Sequence, residues 1–303
     1  MSLLARVGYA HGTERLKEGQ RRFDPRLVTI SRLLTLPSGL LTMFHVSPHP
    51  ALHPIFETLG YALGFGAYKA ARRRAGDVLE DRQRWSLIAA AMVGALIGSR
   101  VLGVLEQAPR MPIALAQWIT PGGGKTIVGG LLGGWIAVEI VKKIEGIRTR
   151  TGDLFALPLC LGIAVGRIGC FLAGLTDDTY GKPSGLPWSV DFGDGIARHP
   201  VQAYEIVFLA GLALVLRRWA KRPHAPGALF QTFLTAYLVW RLLIDFLKPQ
   251  PLLAELTLIQ WACCAGLVAI RTRFVRDRRS AASGLHWTAM TREAPEVDEQ
   301  SIS

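Results

Sequence analysis

The sequence predicts an all-α polytopic membrane protein, with seven transmembrane helices and a small outward-facing loop or hairpin cap. Half of the 303 residues are hydrophobic, although the chain carries 35 Lys and Arg residues. The apolar residues form long runs of about 17–25 residues, the length that an α-helix needs to cross a bilayer. The runs are continuously apolar and do not alternate, which favours helices over a closed β-barrel. They lie near residues 54–70, 85–106, 126–141, 152–173, 200–216, 227–247 and 252–270.

The chain before the first run has two parts. Residues 1–32 are polar and basic, and residues 33–46 are apolar but interrupted by Pro37. At about 14 residues the apolar part is short for a membrane span. Two interpretations stay open: an arm in the outer membrane interface, which we favour, and an eighth crossing helix. We therefore predict a basic segment and interfacial arm over residues 1–53, without a removable signal peptide.

The seven-helix membrane domain is predicted over residues 54–271, and its loops differ in charge. Lys and Arg cluster in the loops after the first, third, fifth and seventh runs, and the opposite loops hold few. Because these residues accumulate on the cytoplasmic side, we predict an outward N-terminus and a cytoplasmic C-terminus. This topology and anionic lipids account for the net charge of +12, and no nucleic-acid partner is expected. Residues 272–303 are polar and aperiodic, which predicts a disordered cytoplasmic tail.

The loop at residues 175–199 is predicted to face outward and is rich in Gly, Pro, Asp and Ser. Between its turns, Pro187 to Phe192 alternates in polarity like a short strand. The pattern predicts a small hairpin-like cap over the helix ends.

Neither a disulfide framework nor a metal site is expected. The four cysteines lie inside or at the ends of apolar runs, where cysteine packs as a small hydrophobe. Three histidines recur every four residues before the first run, but interspersed prolines interrupt any helix that would align them. The histidines are His45, His49 and His53, and the prolines are Pro48, Pro50 and Pro54. We therefore predict no metal and no cofactor.

Arginines within the apolar runs are the main functional candidates. Arg167 lies near the end of the fourth run, and Gly166 and Gly169 beside it remove side-chain bulk. A cation at this depth needs an anionic partner, for which we expect a phospholipid phosphate; the alternative is an arginine that merely extends to the headgroups. Arg241, on the sixth run, lies four residues before Asp245, so a local ion pair is its alternative.

Two blocks, Gly166–Gly174 and Arg198–Glu205, resemble the signature of the bacterial prolipoprotein diacylglyceryl transferases. A weaker resemblance extends from about Phe56 to Lys248. It implies an enzyme of the bacterial plasma (inner) membrane that binds phosphatidylglycerol and the cysteine region of a prolipoprotein signal peptide. Such an enzyme transfers diacylglyceryl from the lipid to the cysteine thiol as a thioether in lipoprotein maturation.

The resemblance also implies roles for individual residues. Arg167 and Arg241 are predicted to be catalytic. His199 is the candidate base, because a histidine side chain is suited to proton transfer near neutral pH. The alternative is that His199 orients the loop by hydrogen bonding. Arg100 matches an arginine of the family's second helix, with pairing to Glu139 or Glu57 as its alternative. Besides Arg167, the predicted substrate-binding residues are Arg100, Glu57, Gly129, Gly130, Gly166, Gly169, Cys170, Gly174, Gly181, Tyr204 and Glu205.

Three positions depart from the family pattern. Val128 stands where the family has a histidine proposed as the base, Cys170 replaces an asparagine, and Glu57 replaces a tyrosine. The base would then lie elsewhere, at His199, Glu57 or Glu205, or the arginines would ionise the thiol unaided. Two other hypotheses stay open: a lipid-binding or lipid-transporting relative without the chemistry, and a transferase with a different acceptor.

Overall fold

The computed structural model describes residues 44–107, 124–249, 253–273 and 275. All seven predicted apolar runs overlap α-helices in these residues, so the helical fold class is confirmed. Within the described residues, three helical segments are long and apolar enough to cross a membrane: Asp81–Gln107, Asp153–Asp177 and Ala228–Leu247. In chain order the helices are α1 Leu52–Ala75, α2 Asp81–Gln107, α3 Ile127–Ile144, α4 Asp153–Ala173, α5 Val201–Trp219, α6 Ala228–Ile244 and α7, residues 258–273.

The outward faces of the helices are apolar. Large hydrophobic side chains on several of them are well exposed, among them Tyr61 at 70%, Leu96 at 65% and Val207 at 73%. A helix at the surface of a water-soluble domain would instead carry polar residues on its outer face. The apolar exterior supports a membrane protein whose helices contact lipid tails.

Contacts between loops show that the helices alternate in direction. Arg84, at the start of α2, donates a hydrogen bond to the carbonyl oxygen of Thr151, which precedes α4. On the opposite side, the backbone N–H of Lys182, after α4, donates to the carbonyl of Leu247, after α6, at 2.7 Å. The first side also carries the basic last turns of α1, α3 and α5. We call it the basic end and the other side the cap end.

Glycines allow two helix pairs to pack closely. A Cβ on Gly60 of α1 would lie 2.6 Å from the carbonyl oxygen of Gly162 on α4. Gly98 of α2 and Gly129 of α3 face each other so closely that neither position has room for a side chain. Small residues favour helix association in lipid because they bring the backbones together. Gly162 and the α3 glycines therefore lie at close helix contacts, whereas Gly166 does not.

A hydrophobic core fills the space among α4, α5, α6 and α7. Leu209, Phe233, Leu238 and Cys263 are fully buried in it. Val128, in the first turn of α3, is only 1% exposed and belongs to the same core. The four cysteines are free thiols.

A three-stranded sheet lies at the cap end. It consists of β1 (Phe44–His45), β2 (Val190–Asp191) and β3 (Ala197–Arg198). β2 and β3 pair antiparallel, which confirms the predicted hairpin, although β2 is shorter than the alternating stretch that predicted it. β1 pairs with β2 in parallel, a strand that the sequence did not predict.

Two carboxylates stabilise this hairpin. Arg198 donates to Asp194 at 2.6 Å and thereby lowers the pKa of that carboxyl. The backbone N–H of Gly193 donates to Asp191 and lowers the pKa of this carboxyl also. Because both folded-state pKa values lie below the unfolded ones, the stabilisation is present above the unfolded pKa. It is lost as the pH falls through the lowered folded values.

The predicted arm and tail lie mostly outside the described residues. Of residues 33–46, only Phe44, His45 and Val46 are described, and the backbone N–H of Val46 donates to the carbonyl of Asp191 at 3.0 Å. Through this hydrogen bond, the segment that leads into α1 is attached to the cap. After residue 275 the predicted tail lies outside the described residues.

Candidate functional site

Ionisable side chains from three helices meet in the interior of the bundle toward the cap end. Arg167 lies on α4, Glu205 in the early part of α5 and Arg241 in the last turn of α6. They are 6%, 1% and 3% exposed, respectively. Buried charged groups cost free energy unless they are paired, so the contacts among these three side chains must be considered together.

Glu205 lies at the centre of this set. Its Oε2 is 2.9 Å from Nε of Arg167 and 3.4 Å from Nη1 of Arg241. Its Oε1 accepts a hydrogen bond from the hydroxyl of Tyr237 at 2.6 Å. The sequence nominated Glu205 as a substrate-binding residue and a possible base. The contacts make it the shared counter-ion of the two arginines.

Asp245, which directly follows α6, extends the set. Its Oδ1 lies 2.7 Å from Nη2 of Arg241 and 3.5 Å from Nζ of Lys248. The predicted pair between Arg241 and Asp245 is therefore present, and it continues into the interior through Glu205. Three cations here face two carboxylates, which leaves one positive charge in excess. We call this set the charge network: Arg167, Glu205, Arg241, Asp245 and Lys248.

The two glycines near Arg167 differ in their surroundings. A Cβ on Gly166 would have no neighbouring atom within 4 Å, whereas a Cβ on Gly169 would lie 2.8 Å from the Cβ of Phe56. Nη1 of Arg167 points to Sγ of Cys170 at 3.6 Å. Its Nε–H, although close to Glu205, is not aligned for a hydrogen bond and has no such partner among the described residues. Gly166 thus has open space at its own Cβ position, and Gly169 packs α4 against α1.

His199 is bound into the loop that precedes α5. Its Nδ1 lies 3.3 Å from the hydroxyl of Tyr204, which also accepts a hydrogen bond from Nε1 of Trp188 at 2.7 Å. Its backbone pairs with Lys182 and Gly181, and a Cβ on Gly181 would lie 2.6 Å from the Cβ of His199. These contacts suit the orienting role, and catalysis by His199 stays a prediction.

Two further predicted residues lie on α1 and α2. Glu57 accepts a hydrogen bond from Tyr61 at 2.8 Å, and its carboxylate is 3.4 Å from Nζ of Lys125. Arg100 is half-buried on α2. Glu139, one of its two proposed partners, pairs with Lys142 and Arg273.

The remaining glycines of the predicted site have structural surroundings. A Cβ on Gly130 would lie 3.6 Å from the carbonyl oxygen of Ala95, so this glycine borders α2. Gly174 has a φ of +65°, a conformation that favours glycine, and it turns the chain from α4 into the cap loop. Their predicted part in substrate binding stays a prediction.

One pair at the cap end was not predicted. Nδ1 of His53, on the first turn of α1, lies 2.8 Å from Oδ1 of Asp177, just after α4. The sequence analysis considered His53 only in the histidine series, and no local motif connects it to Asp177. The only sign in the sequence of a function for Asp177 was its position shortly after the Gly166–Gly174 block.

The part of the chain that contains this site is similar in sequence to known proteins. Residues 52–275, which include the seven helices of the described part of the chain, match the family described as prolipoprotein diacylglyceryl transferase. A phosphatidylglycerol–prolipoprotein diacylglyceryl transferase of Bordetella parapertussis is 32% identical over 242 residues, 70% of this chain and 90% of the relative. Proteins of the same name from Methylococcus capsulatus and Geobacter sulfurreducens are each 32% identical, and each match covers 66% of this chain and 83% of the relative.

Proposed function

The chain belongs to the prolipoprotein diacylglyceryl transferase family, and from this membership we propose that it transfers diacylglyceryl from phosphatidylglycerol to a prolipoprotein cysteine thiol. The observation that carries the proposal is the charge network, in which three buried cations face two carboxylates. Its excess positive charge is suited to an anionic lipid headgroup. Inorganic or soluble substrates would not need such a site inside an apolar bundle.

Arg167 is the proposed phosphate ligand. Its guanidinium presents several donors in a planar fork that matches phosphate oxygens. Its Nε lies 2.9 Å from Oε2 of Glu205, and a Cβ on the neighbouring Gly166 would meet no atom within 4 Å. Arg241 lies across the shared carboxylate of Glu205 and supplies the second cation.

The proposed reaction exchanges a C–O bond for a C–S bond and moves the thiol proton to a base. The acceptor sulfur attacks C3 of the glycerol that carries the acyl chains, a C–S bond forms, and the bond from C3 to the phosphate oxygen breaks. The thiol proton passes to a base, and glycerol phosphate leaves with the negative charge. Arg167 and Arg241 stabilise that charge as it develops, which is effective where water is excluded.

The proposed membrane placement follows from the charge distribution. All seven helices would cross the plasma membrane, with the basic end cytoplasmic and the cap end outside. The membrane domain would extend over residues 54–271. This placement opens the charge network toward the side on which a prolipoprotein emerges from the membrane.

One observation favours a second candidate. Val128, where the family has its histidine, is buried in the hydrophobic core and carries no ionisable group. A chain that binds lipid without transferring it would need the charge network but no base. This candidate predicts binding of phosphatidylglycerol and no thioether product.

The test compares three variants in a strain depleted of its own transferase and supplied with this chain. Mass analysis of a reporter prolipoprotein measures the added diacylglyceryl group. Arg167→Ala should slow the transfer by about 10²–10³-fold through loss of charge stabilisation, whereas Arg167→Lys keeps the charge and should retain partial activity. Arg82→Ala, which removes an exposed arginine at the basic end, is the matched control and should be active.

Two outcomes would contradict the proposal. Normal transfer by Arg167→Ala at equal expression would exclude this arginine as the phosphate ligand. No transfer by the unsubstituted chain, where a known transferase works, would reject the enzyme hypothesis. Retained binding of phosphatidylglycerol would then support the lipid-binding candidate.

A further inference from the structure

A histidine and an aspartate meet beside Arg167 at the cap end. Asp177 is held from two sides: its Oδ1 contacts Nδ1 of His53 at 2.8 Å, and its Oδ2 accepts a hydrogen bond from Thr179 at 2.5 Å. The side chain of Asp177 is 10% exposed and that of His53 is 31% exposed. The carboxylate is therefore fixed, and the imidazole that it orients remains accessible.

The contact with Asp177 determines which ring nitrogen can accept a proton. A carboxylate that binds Nδ1 keeps the proton of the neutral ring on that nitrogen and stabilises the imidazolium when Nε2 is protonated. Nε2 lies 3.9 Å from Oε2 of Glu57, a distance longer than a hydrogen bond. Nε2 is thus the nitrogen that can take a substrate proton.

The pair lies next to the proposed phosphate ligand. A ring nitrogen of His53, Sγ of Cys170 and a carboxylate oxygen of Asp177 all lie within 4.8 Å of one another. Nη1 of Arg167 is in turn 3.6 Å from the same sulfur. The two side chains therefore approach Cys170 together, with the histidine toward the accessible side and the arginine toward the interior.

The other candidates for a base are less well placed. Val128 has no ionisable group, and His199 is held through Tyr204 and the loop backbone. Glu205 lies between two arginines, and Glu57 contacts Lys125. Among the described residues, His53 combines an accessible proton acceptor with a fixed carboxylate partner and closeness to Arg167.

We propose that His53 is the general base of the transfer reaction and that Asp177 is its positioning residue. The inference rests on the proposed function. Nε2 of His53 removes the proton of the acceptor thiol, the sulfur forms the C–S bond, and the electrons of the broken C–O bond leave with the phosphate. Asp177 stabilises the imidazolium, which then returns its proton to water at the cap end.

The test uses the purified full chain in vesicles that contain phosphatidylglycerol, with a synthetic cysteine peptide as acceptor. His53→Gln should lower kcat by about 10²–10⁴-fold, the range of general-base catalysis, with a smaller change in KM. Asp177→Asn should lower kcat less. His49→Gln, at an exposed histidine of the same segment, is the matched control and should retain full activity.

The pH profile separates a base from a structural residue. Without a base the acceptor must ionise by itself, so the rate of His53→Gln should rise steeply with pH until the free thiol ionises near about 8.5. The unsubstituted chain should reach its plateau at a lower pH. Among the described residues, five charged or ionisable groups lie around His53: Cys170 at the end of α4, Asp177 just after α4, Glu57 of its own helix, Lys125 before α3 and, beyond the cysteine, Arg167.

Each outcome decides between explanations. A His53→Gln variant with normal kcat and an unchanged pH profile, in an active chain, would overturn the proposal and leave the transferase function intact. A loss of activity at every pH together with lower thermal stability would indicate a structural role and also overturn it. His, Cys and Asp side chains can also bind Zn²⁺. Activity that is lost to a chelator and restored by zinc would therefore indicate a metal site and would also overturn the proposal. No transfer by the unsubstituted chain would instead reject the proposed function.

Discussion

Replacement of Glu205 by glutamine tests whether the charge network stabilises the fold. The substitution keeps the size of the side chain and its ability to accept a hydrogen bond from Tyr237, but it removes the negative charge. Arg241 keeps Asp245 as a partner, whereas Arg167 loses the carboxylate at 2.9 Å. The variant therefore leaves a buried arginine without its ionic partner.

The expected cost follows from that burial. Removal of one member of a buried ion pair costs about 3–5 kcal/mol, and the retained hydrogen bond with Tyr237 favours the lower value of about 3 kcal/mol. For a domain of this size, each kcal/mol lowers Tm by about 2–4 °C, so Glu205→Gln should lower Tm by about 6–12 °C. The measurement is thermal unfolding of the purified protein in detergent.

Glu57→Gln is the matched control. Glu57 is 29% exposed, and its contact with Lys125 is 3.4 Å long. A partly exposed ion pair contributes less than about 1 kcal/mol, so the control should change Tm little. Equal Tm values for both variants would refute the reasoning, because the buried carboxylate would then stabilise the fold no more than the exposed one.

Two further predictions concern the cap end. In a cysteine-free background, Ser184→Cys should react with a membrane-impermeant thiol reagent in cells with a permeabilised outer barrier, while Thr149→Cys at the basic end should react only after lysis. The reverse labelling pattern would invert the predicted topology. His199→Gln should keep most of the transfer rate because glutamine can still hydrogen-bond Tyr204, whereas His199→Ala should lose more. A large loss in His199→Gln, with the loop still resistant to protease, would return the role of base to His199.

The local features of the fold were predictable from the sequence. The apolar runs identify the helices because continuous hydrophobicity over a spanning length is a local property of the chain. The loops rich in Lys and Arg were likewise readable from the sequence, because charge is a property of each residue. The turn residues of the cap indicated the hairpin of β2 and β3, because the conformation of a turn depends on a few adjacent residues.

Other features depended on segments distant in the sequence. β1 consists of two residues, too few for a pattern, and it forms only because β2 offers it an edge. The sequence suggested a local pair for Arg241 but could not show that Glu205 also binds Arg167, since three separate helices must pack before these groups meet.

The sequence by itself determined the helical membrane architecture, the segregation of basic loops and the arginines that lie within apolar runs. Only the tertiary structure decided that Glu205 lies between Arg167 and Arg241 and that His53 faces Asp177. The physical reason is the range of the interactions: hydrophobic patterning acts along each helix, whereas pairing of buried charges depends on the positions of helices relative to one another. The cost of an unpaired buried charge then makes the observed pairing necessary for the fold.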